Sequence, residues 1–511
     1  MIRVGTIAAV LDPVLAAAPE RLALVDDTYR YSFAALDEAV CRAANALYSL
    51  GVREGDRVAA SLPNRAGIVI AFLATQRLGA IWLGLSSVLA APEKQAILQD
   101  AGVSLYLATQ DLAREAEGLQ MPALREIVSF DLRDPTTRFM RELAQTKSEP
   151  RRAAIDPHAP SAIAYTSGTT GVPKGAVHSQ HNLMLMGAMA RELGLYVPDM
   201  PHGVMLPLTT LNLMVLAPLV TLQLGAPCVV LESARPLELA RRVREERIGH
   251  FTAVPTIYHD LLTHAEVDLT DLATLREPEI GGANIPRAIR ELVHTRLGKQ
   301  TCVGYGMTEA PATVTRTHSG APHAEGLCGH PLPHVSIEIR DEESRLLSDG
   351  KVGEICVTAA EHGPLAGVYT PMLGYWNQPE ATREVLREGR YYTGDLGLLD
   401  ESGQLFVLGR KKEVIVRGGS KIYPAEIERV LHEDPAIVAA AVLGKPDARL
   451  GERVVAFIEV KPGVAIDLDA LRARCERVLA RYKVPEALFV VQSMPRNAMG
   501  KIVKRELAAR L

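Results

Sequence analysis

Between residues 32 and 130 the chain alternates short apolar runs with helical stretches of ten to fifteen residues, and nothing else in it constrains the fold as tightly. Ser32 reads as an N-cap, with Leu36, Val40, Ala43, Leu47 and Leu50 at helical spacing behind it and Gly51 as the stop. A strand pattern at 58–62, a helix at 66–79 and an apolar strand at 81–85 come next, and strand patterns at 103–108 and 126–130 repeat the theme. Strands separated by helices pair in parallel and are covered on both faces. A similar rhythm returns over 203–303. The expected fold is therefore α/β, with a large N-terminal domain of parallel-rich sheets layered with helices.

The texture changes near residue 410. A helix at 425–432, strands at 437–443 and 453–460, a helix at 468–480 and a strand at 488–491 have the size of a small α+β domain. The expected division is 1–410 and 411–511, with the charged Lys411, Lys412 and Glu413 at the join.

Composition excludes several classes. Of 511 residues 48% are hydrophobic and 23% charged, enough apolar surface for sizeable cores, and the net charge of −4 comes without any concentrated basic run. A nucleic-acid binder would show such a patch. Two apolar stretches imitate membrane spans, but 66–89 carries Gln76 and Arg77 in its middle and 205–231 is punctuated by Pro207, Pro218 and Pro227. No membrane span is expected. The N-terminal apolar stretch, broken by Asp12 and Pro13, does not read as a secretory leader. Cys41, Cys228, Cys302, Cys328, Cys356 and Cys475 are scattered without metal-ligand spacing, which fits reduced thiols and a cytoplasmic protein.

The chemistry begins at Tyr165-Thr166-Ser167-Gly168-Thr169-Thr170-Gly171-Val172-Pro173-Lys174-Gly175, after a short apolar strand. Glycines let a backbone approach an anion and turn its N–H groups toward it. The hydroxyls add donors, and Lys174 adds a charge suited to phosphate. Val172-Pro173 after Gly171 rules out a Walker A loop. A flexible surface linker would not need this ordered set.

The loop resembles the signature of the adenylate-forming superfamily, which includes acyl-CoA synthetases, adenylation domains of peptide synthetases and firefly-type luciferases. Further motifs follow in that family's order: Tyr305-Gly306-Met307-Thr308-Glu309, Tyr392-Thr393-Gly394-Asp395, Gly409-Arg410-Lys411-Lys412, Gly418-Gly419-Ser420-Lys421-Ile422-Tyr423-Pro424 and Pro495-Arg496-Asn497-Ala498-Met499-Gly500-Lys501. The resemblance implies ATP-dependent conversion of a carboxylic acid to an acyl-adenylate, release of pyrophosphate, and transfer to CoA.

It also implies roles, residue by residue. Thr166, Ser167, Gly168, Thr169, Thr170 and Gly171 with Lys174 would cradle phosphates. Glu309 would hold Mg²⁺ and Thr308 would donate to the α-phosphate. Gly282 and Ala283 would run along the adenine edge and Tyr305 and Gly306 would sit beside the base, with Asp395 and Arg410 at the ribose. Lys501 would stabilise the pentacoordinate transition state from a mobile small domain that swivels about Lys412 and presents Gly418 and Gly419 to CoA.

Two departures concern the acid rather than ATP. Thr209 and Thr210 stand where many relatives have an aromatic residue or His at the tunnel mouth, and Gln180 stands where His is common. Gly306 leaves open a space that acetate-specific relatives fill with Trp. The expected substrate is an apolar, aromatic or medium- to long-chain acid without a charged distal group, lined by His181, Thr210, Leu213, Gly304 and Gly306. An alternative acceptor is a carrier protein or an amine, although only ten residues follow Lys501 and no fused carrier domain is expected there. A non-catalytic nucleotide-binding scaffold would not need Lys174, Glu309, Asp395, Arg410 and Lys501 together. The expected partners are small molecules, not nucleic acid, and a homodimer is left open.

Overall fold

The computed structural model describes residues 4–511 except 120, 151–152, 167–172, 195–198, 281–286, 312, 318–323, 325 and 497–501. Three sheets organise these residues. In the first, strands Leu105–Ala108, Arg57–Ser61, Ile81–Gly84 and Pro160–Thr166 are parallel neighbours, with Glu126–Ser129 extending one edge in parallel. Lys174–Ser179 and Gly374–Tyr375 close the other edge in antiparallel pairing. Ser32 caps the first long helix, Phe33–Ser49, by accepting the Ala35 N–H at 3.2 Å, and Phe33, Leu36, Val40, Ala43 and Leu47 bury its inner face.

The stretch that imitates a membrane span is a central helix, Ala66–Arg77, buried over its whole length. Its polar end is answered from within. Gln76 Oε1 accepts from the Ser161 hydroxyl at 2.5 Å and Gln76 Nε2 donates to the Ser161 carbonyl at 3.1 Å, while Arg77 pairs with Asp37. Among the described residues no helix is long and apolar enough to cross a membrane.

The second sheet has 14 strands. Strands Leu22–Val25, Cys228–Val230, His202–Val204, His250–Ala253, Glu277–Ile280 and Cys302–Gly306 are parallel. From Thr313–Arg316 onward the pairing turns antiparallel, through Leu327–Pro331, Leu405–Arg410, Arg390–Leu399, Gly353–Ala359 and Val335–Arg340. One large core joins residues of both sheets to helix Gln180–Glu192 and the helical turns between Leu211 and Leu224. Pro218, lacking an N–H, lies in a wide π-type turn at Val215–Leu219.

The third sheet begins at Ile415, after a single turn at Lys411–Glu413, and contains five strands. Its long antiparallel pair is Ile437–Asp447 with Gly451–Val460, and Ala487–Val491 joins Gly451–Val460 in parallel. Helices Pro424–His432 and Leu468–Val478 cover one face around Ile427, Val430, Leu431 and Leu471, and Lys504–Ala508 covers the other through Leu507.

Candidate active site

The antiparallel hairpin Pro160–Thr166/Lys174–Ser179 sets Thr166 opposite Lys174, so the glycine-rich segment leaves and returns at one point. Within that segment, Ser167, Gly168, Thr169, Thr170 and Gly171 lie outside the described residues. Lys174 Nζ stands 5.0 Å from the centre of the Tyr375 ring, a cation–π distance. The Tyr375 phenol donates to Glu309 Oε1 at 3.0 Å, and the Glu309 carbonyl accepts the Met372 N–H at 3.0 Å. Burial first, and then the negative charge of Glu309, push the Tyr375 phenol up, so it remains a donor. Beside it, His178 Nε2 lies 2.8 Å from the Thr308 carbonyl. Burial takes His178 down to about 4, so at neutral pH the ring is uncharged and holds its proton on Nε2 toward that carbonyl.

Asp395 is the second fixed point. It lies opposite Arg410 in the strand pair Arg390–Leu399/Leu405–Arg410. Arg410 Nε stands 2.8 Å from Asp395 Oδ1, and the Tyr305 phenol donates to Asp395 Oδ2 at 2.6 Å. Burial and the Asp395 charge raise the Tyr305 phenol well above its ordinary range. Burial alone would lower the Arg410 guanidinium, but Asp395 and the surrounding acidic groups outweigh it and raise it. The turn beneath is tied at several points. The Thr393 hydroxyl donates to the Ile355 carbonyl at 2.8 Å and accepts the Asp395 N–H at 3.0 Å. Glu354 Oε1 accepts the Gly394 N–H at 3.1 Å, and Glu354 Oε2 meets Lys411 Nζ at 2.9 Å. Gly394, at φ +72°, supplies the left-handed residue this turn requires. A carboxylate has about four lone-pair positions, of which Tyr305 and Arg410 each engage one on Asp395.

The sequence motifs therefore converge in part. Thr308, Glu309 and Lys174 share one neighbourhood through Tyr375 and His178, and Tyr305, Asp395 and Arg410 form another on the same strand system. Gly282, Ala283 and Lys501 lie outside the described residues. Gly418 and Gly419, at φ +56° and +85°, form the two-residue turn between Arg417 and Ser420, a hairpin geometry that favours glycine whatever binds there. Lys412 lies in the turn between the second and third sheets.

The tunnel candidates separate. Thr210 precedes the turn Leu211–Met214, its backbone carbonyl accepting the Leu213 N–H at 3.0 Å, and Leu213 is buried in the large core. A Cβ at Gly304 would stand 3.1 Å from Thr313 Cγ2, so that position is closely packed. His181 does not join these residues. It follows the end of the hairpin opposite the glycine-rich loop, with Nε2 2.8 Å from the Val368 carbonyl and its ring 4.6 Å from that of His158. Its contacts give a pocket role no support. Gln180 is structural: its Nε2 donates to the Gln76 carbonyl at 3.1 Å, and its Oε1 accepts the Ala8 N–H at 3.3 Å.

Tyr375, Glu354 and His178 escape a motif reading. Each acts through a partner 40 or more residues away, and the only sequence signal is that Tyr375 sits in the aromatic pair Tyr375-Trp376.

Magnesium fits one place on the chemistry of its donor. Tyr375, a neutral donor, leaves the charge of the Glu309 carboxylate uncancelled. Among the described residues no group of three or more His, Cys, Asp and Glu is placed to hold a metal. An ion here would rest on one carboxylate and ligand oxygens, the arrangement Mg²⁺ takes with phosphates.

Comparison with known proteins gives the same outline. The sequence model described as "AMP-binding enzyme" matches residues 11–376, and that described as "AMP-binding enzyme C-terminal domain" matches 426–501. The chain is 32% identical to a feruloyl-CoA synthase from Amycolatopsis sp, over 94% of each sequence. Among solved structures it is similar to ATP-bound MatB from Rhodopseudomonas palustris, at 28% identity, TM-score 0.90 and 98% of both chains. The apo form of the same protein gives a TM-score of 0.81 over 99% of this chain and 98% of that one. The amide bond synthetase McbA from Marinactinospora thermotolerans gives 0.86 at 28% identity, over 99% of this chain and 100% of that one.

Proposed function

The chain belongs to the AMP-binding enzyme family, and from that premise we propose that it joins an acid with a sizeable apolar body to CoA by way of an acyl-adenylate. As an AMP-forming acid–thiol ligase it acts in two steps. A carboxylate oxygen of the acid attacks the α-phosphorus of ATP, the bond to the β-phosphate oxygen breaks, and pyrophosphate leaves. The CoA sulfur then attacks the acyl carbon and AMP departs, with the thiol proton released.

The observation that carries this reading is the Asp395 carboxylate held between Tyr305 and Arg410. Asp395 would accept both ribose hydroxyls, with Arg410 alongside. Thr308, Lys174 and the loop 166–171 would grip phosphate oxygens, Gly282 and Ala283 would follow the adenine edge, and Lys501 would bring a charge to the α-phosphate as the attack proceeds. Glu309 would hold Mg²⁺, whose charge, when bound, masks that of the phosphates. The greater likeness to the ATP-bound than to the apo form of one relative supports reading this arrangement as one ready for ATP. The size of the acid is argued from Gly306, which adds no side chain, and from a relative that forms a thioester of an aromatic acid.

A pyrophosphate-release screen over aromatic, medium- and long-chain acids, with and without CoA, tests the reading. The expected result is acid-dependent pyrophosphate in both arms and acyl-CoA only with CoA. A second reading, transfer to an amine, is favoured by the likeness to an amide bond synthetase. Amide formation without thioester in a mixed CoA-plus-amine assay would select it.

A further inference from the structure

Gly304 and Arg316 stand directly opposite each other on antiparallel strands. Opposed residues share a face, so the Arg316 side chain leaves the sheet beside the glycine expected to line the acid pocket. Glu279 lies opposite Cys302 on the parallel neighbour, which puts it on that same face two residues back from Gly304. Its carboxylate is 4.0 Å from Arg316 Nη2 and 3.2 Å from His250 Nε2, and the His250 ring meets that of His202 edge-on at 4.4 Å.

This is the inward face. Phe251, Ala253 and Ile280 alternate with these residues and pack into the separate outer core, whereas Val204, two residues from His202, belongs to the core shared by both sheets. Strands covered on both faces normally read as continuous apolar runs. Here the inner face carries a row of polar side chains instead. Side-chain exposure falls along the row, from 21% at Arg316 through 13% at Glu279 to 5% at His250. The row thus opens at the Gly304 end and is sealed at the histidines.

Charges are normally excluded from such a face unless paired and hydrogen-bonded. Burial would raise the Glu279 carboxyl, but His250 Nε2 at 3.2 Å and the Arg316 guanidinium outweigh it and hold it below the usual range. A carboxylate acceptor and a guanidinium donor of opposite charge therefore stand together at the mouth of the row. A distal carboxylate or ammonium would unbalance that pair. A neutral oxygen would not.

Resting on the reading of the chain as an acid-activating enzyme, we propose that Arg316 and Glu279 form a polar floor to the acid pocket that selects acids bearing a neutral oxygen, a hydroxyl or carbonyl, at the end remote from the carboxylate. The test is acid-dependent pyrophosphate release without CoA, using pairs matched in length: 3-(4-hydroxyphenyl)propanoate against 3-(4-methylphenyl)propanoate, and 7-oxooctanoate against octanoate. The oxygenated member of at least one pair is expected to be favoured about tenfold or more in kcat/KM, since a site built to hydrogen-bond an oxygen is left unsatisfied by its analogue. Arg316→Met should narrow that preference to about twofold, chiefly through KM, as expected when binding common to ground and transition state is lost. Glu279→Gln provides a second variant should the first not fold. Equal or reversed preference in both wild-type pairs, or equal loss for both members in the variants, overturns the inference and leaves acid activation standing. No pyrophosphate with any acid of a broad panel would instead sink the adenylation reading, and this inference with it.

Discussion

Asp395 shows how much one side chain is asked to do. Its two oxygens already accept from Tyr305 and Arg410, and a ligand's hydroxyls would join them there. Hydrogen bonds to a charged group contribute about 1.5–3 kcal/mol each, so Asp395→Asn should weaken ATP binding by roughly one to two orders of magnitude. Isothermal titration with ATP checks this, and unchanged affinity would remove Asp395 from the ribose site. Tyr375→Phe deletes only the hydroxyl that steadies Glu309. It should raise the Mg²⁺ concentration for half-maximal activity several-fold, by about 1 kcal/mol of lost orientation. An unchanged Mg²⁺ dependence would mean that Tyr375 does not position the ligand. The contrast between these two residues explains what was readable. Asp395, Glu309 and Arg410 sit in motifs whose identity the chemistry fixes. Tyr375 matters only because folding brings it to Glu309 across 66 positions, and no local pattern marks that.

Among elements, the parallel strands and their crossover helices were legible because burial on both faces writes a continuous apolar run. Arg57–Ser61 and Ile81–Gly84 lie within a residue of their expected bounds. The antiparallel strands after Gly306 were not, because they are held by distant partners, as Leu327 is by Phe406. The inner-face row was missed for a related reason. Glu279 and His250 look like ordinary interruptions in strand runs until the register sets them side by side. The turn Lys411–Glu413 is the one element between the second and third sheets, and Glu354 ties its Lys411 to the Gly394 N–H beside Asp395. Lys412→Pro fixes φ and removes a donor. If the third-sheet unit must swivel about this turn, pyrophosphate exchange should survive while conversion of acyl-adenylate and CoA to thioester falls by about tenfold or more. Single-turnover assays of the two steps decide it, and equal effects on both would place the hinge elsewhere.

At the scale of the whole molecule, several histidines are buried uncharged, and their protonation links stability to pH. Burial takes His178 and His334 down to about 4, and His202 lies well below its ordinary value through burial and the neighbouring His250 charge. Above about pH 6.5 these rings are neutral in both the folded and the unfolded chain and add no pH dependence. As the pH falls from about 6.5 to about 4 the unfolded rings bind protons and the folded ones do not, so stability is lost at up to about 1.4 kcal/mol per pH unit for each. Urea denaturation should show that acid limb, and His334→Gln should make it shallower; an identical slope would mean that His334 is not buried neutral. The joining of both large sheets through one core was not legible in the sequence, because it depends on packing between segments far apart. All of this rests on one chemical event, the bond between an acid oxygen and the α-phosphorus. It is tested most directly by supplying the best acid of the screen labelled with ¹⁸O in its carboxylate, together with ATP, Mg²⁺ and CoA, and weighing the products. Attack at the α-phosphorus puts one labelled oxygen into AMP and leaves pyrophosphate unlabelled. ADP with label in inorganic phosphate, or acid-dependent product with unlabelled AMP, would contradict it.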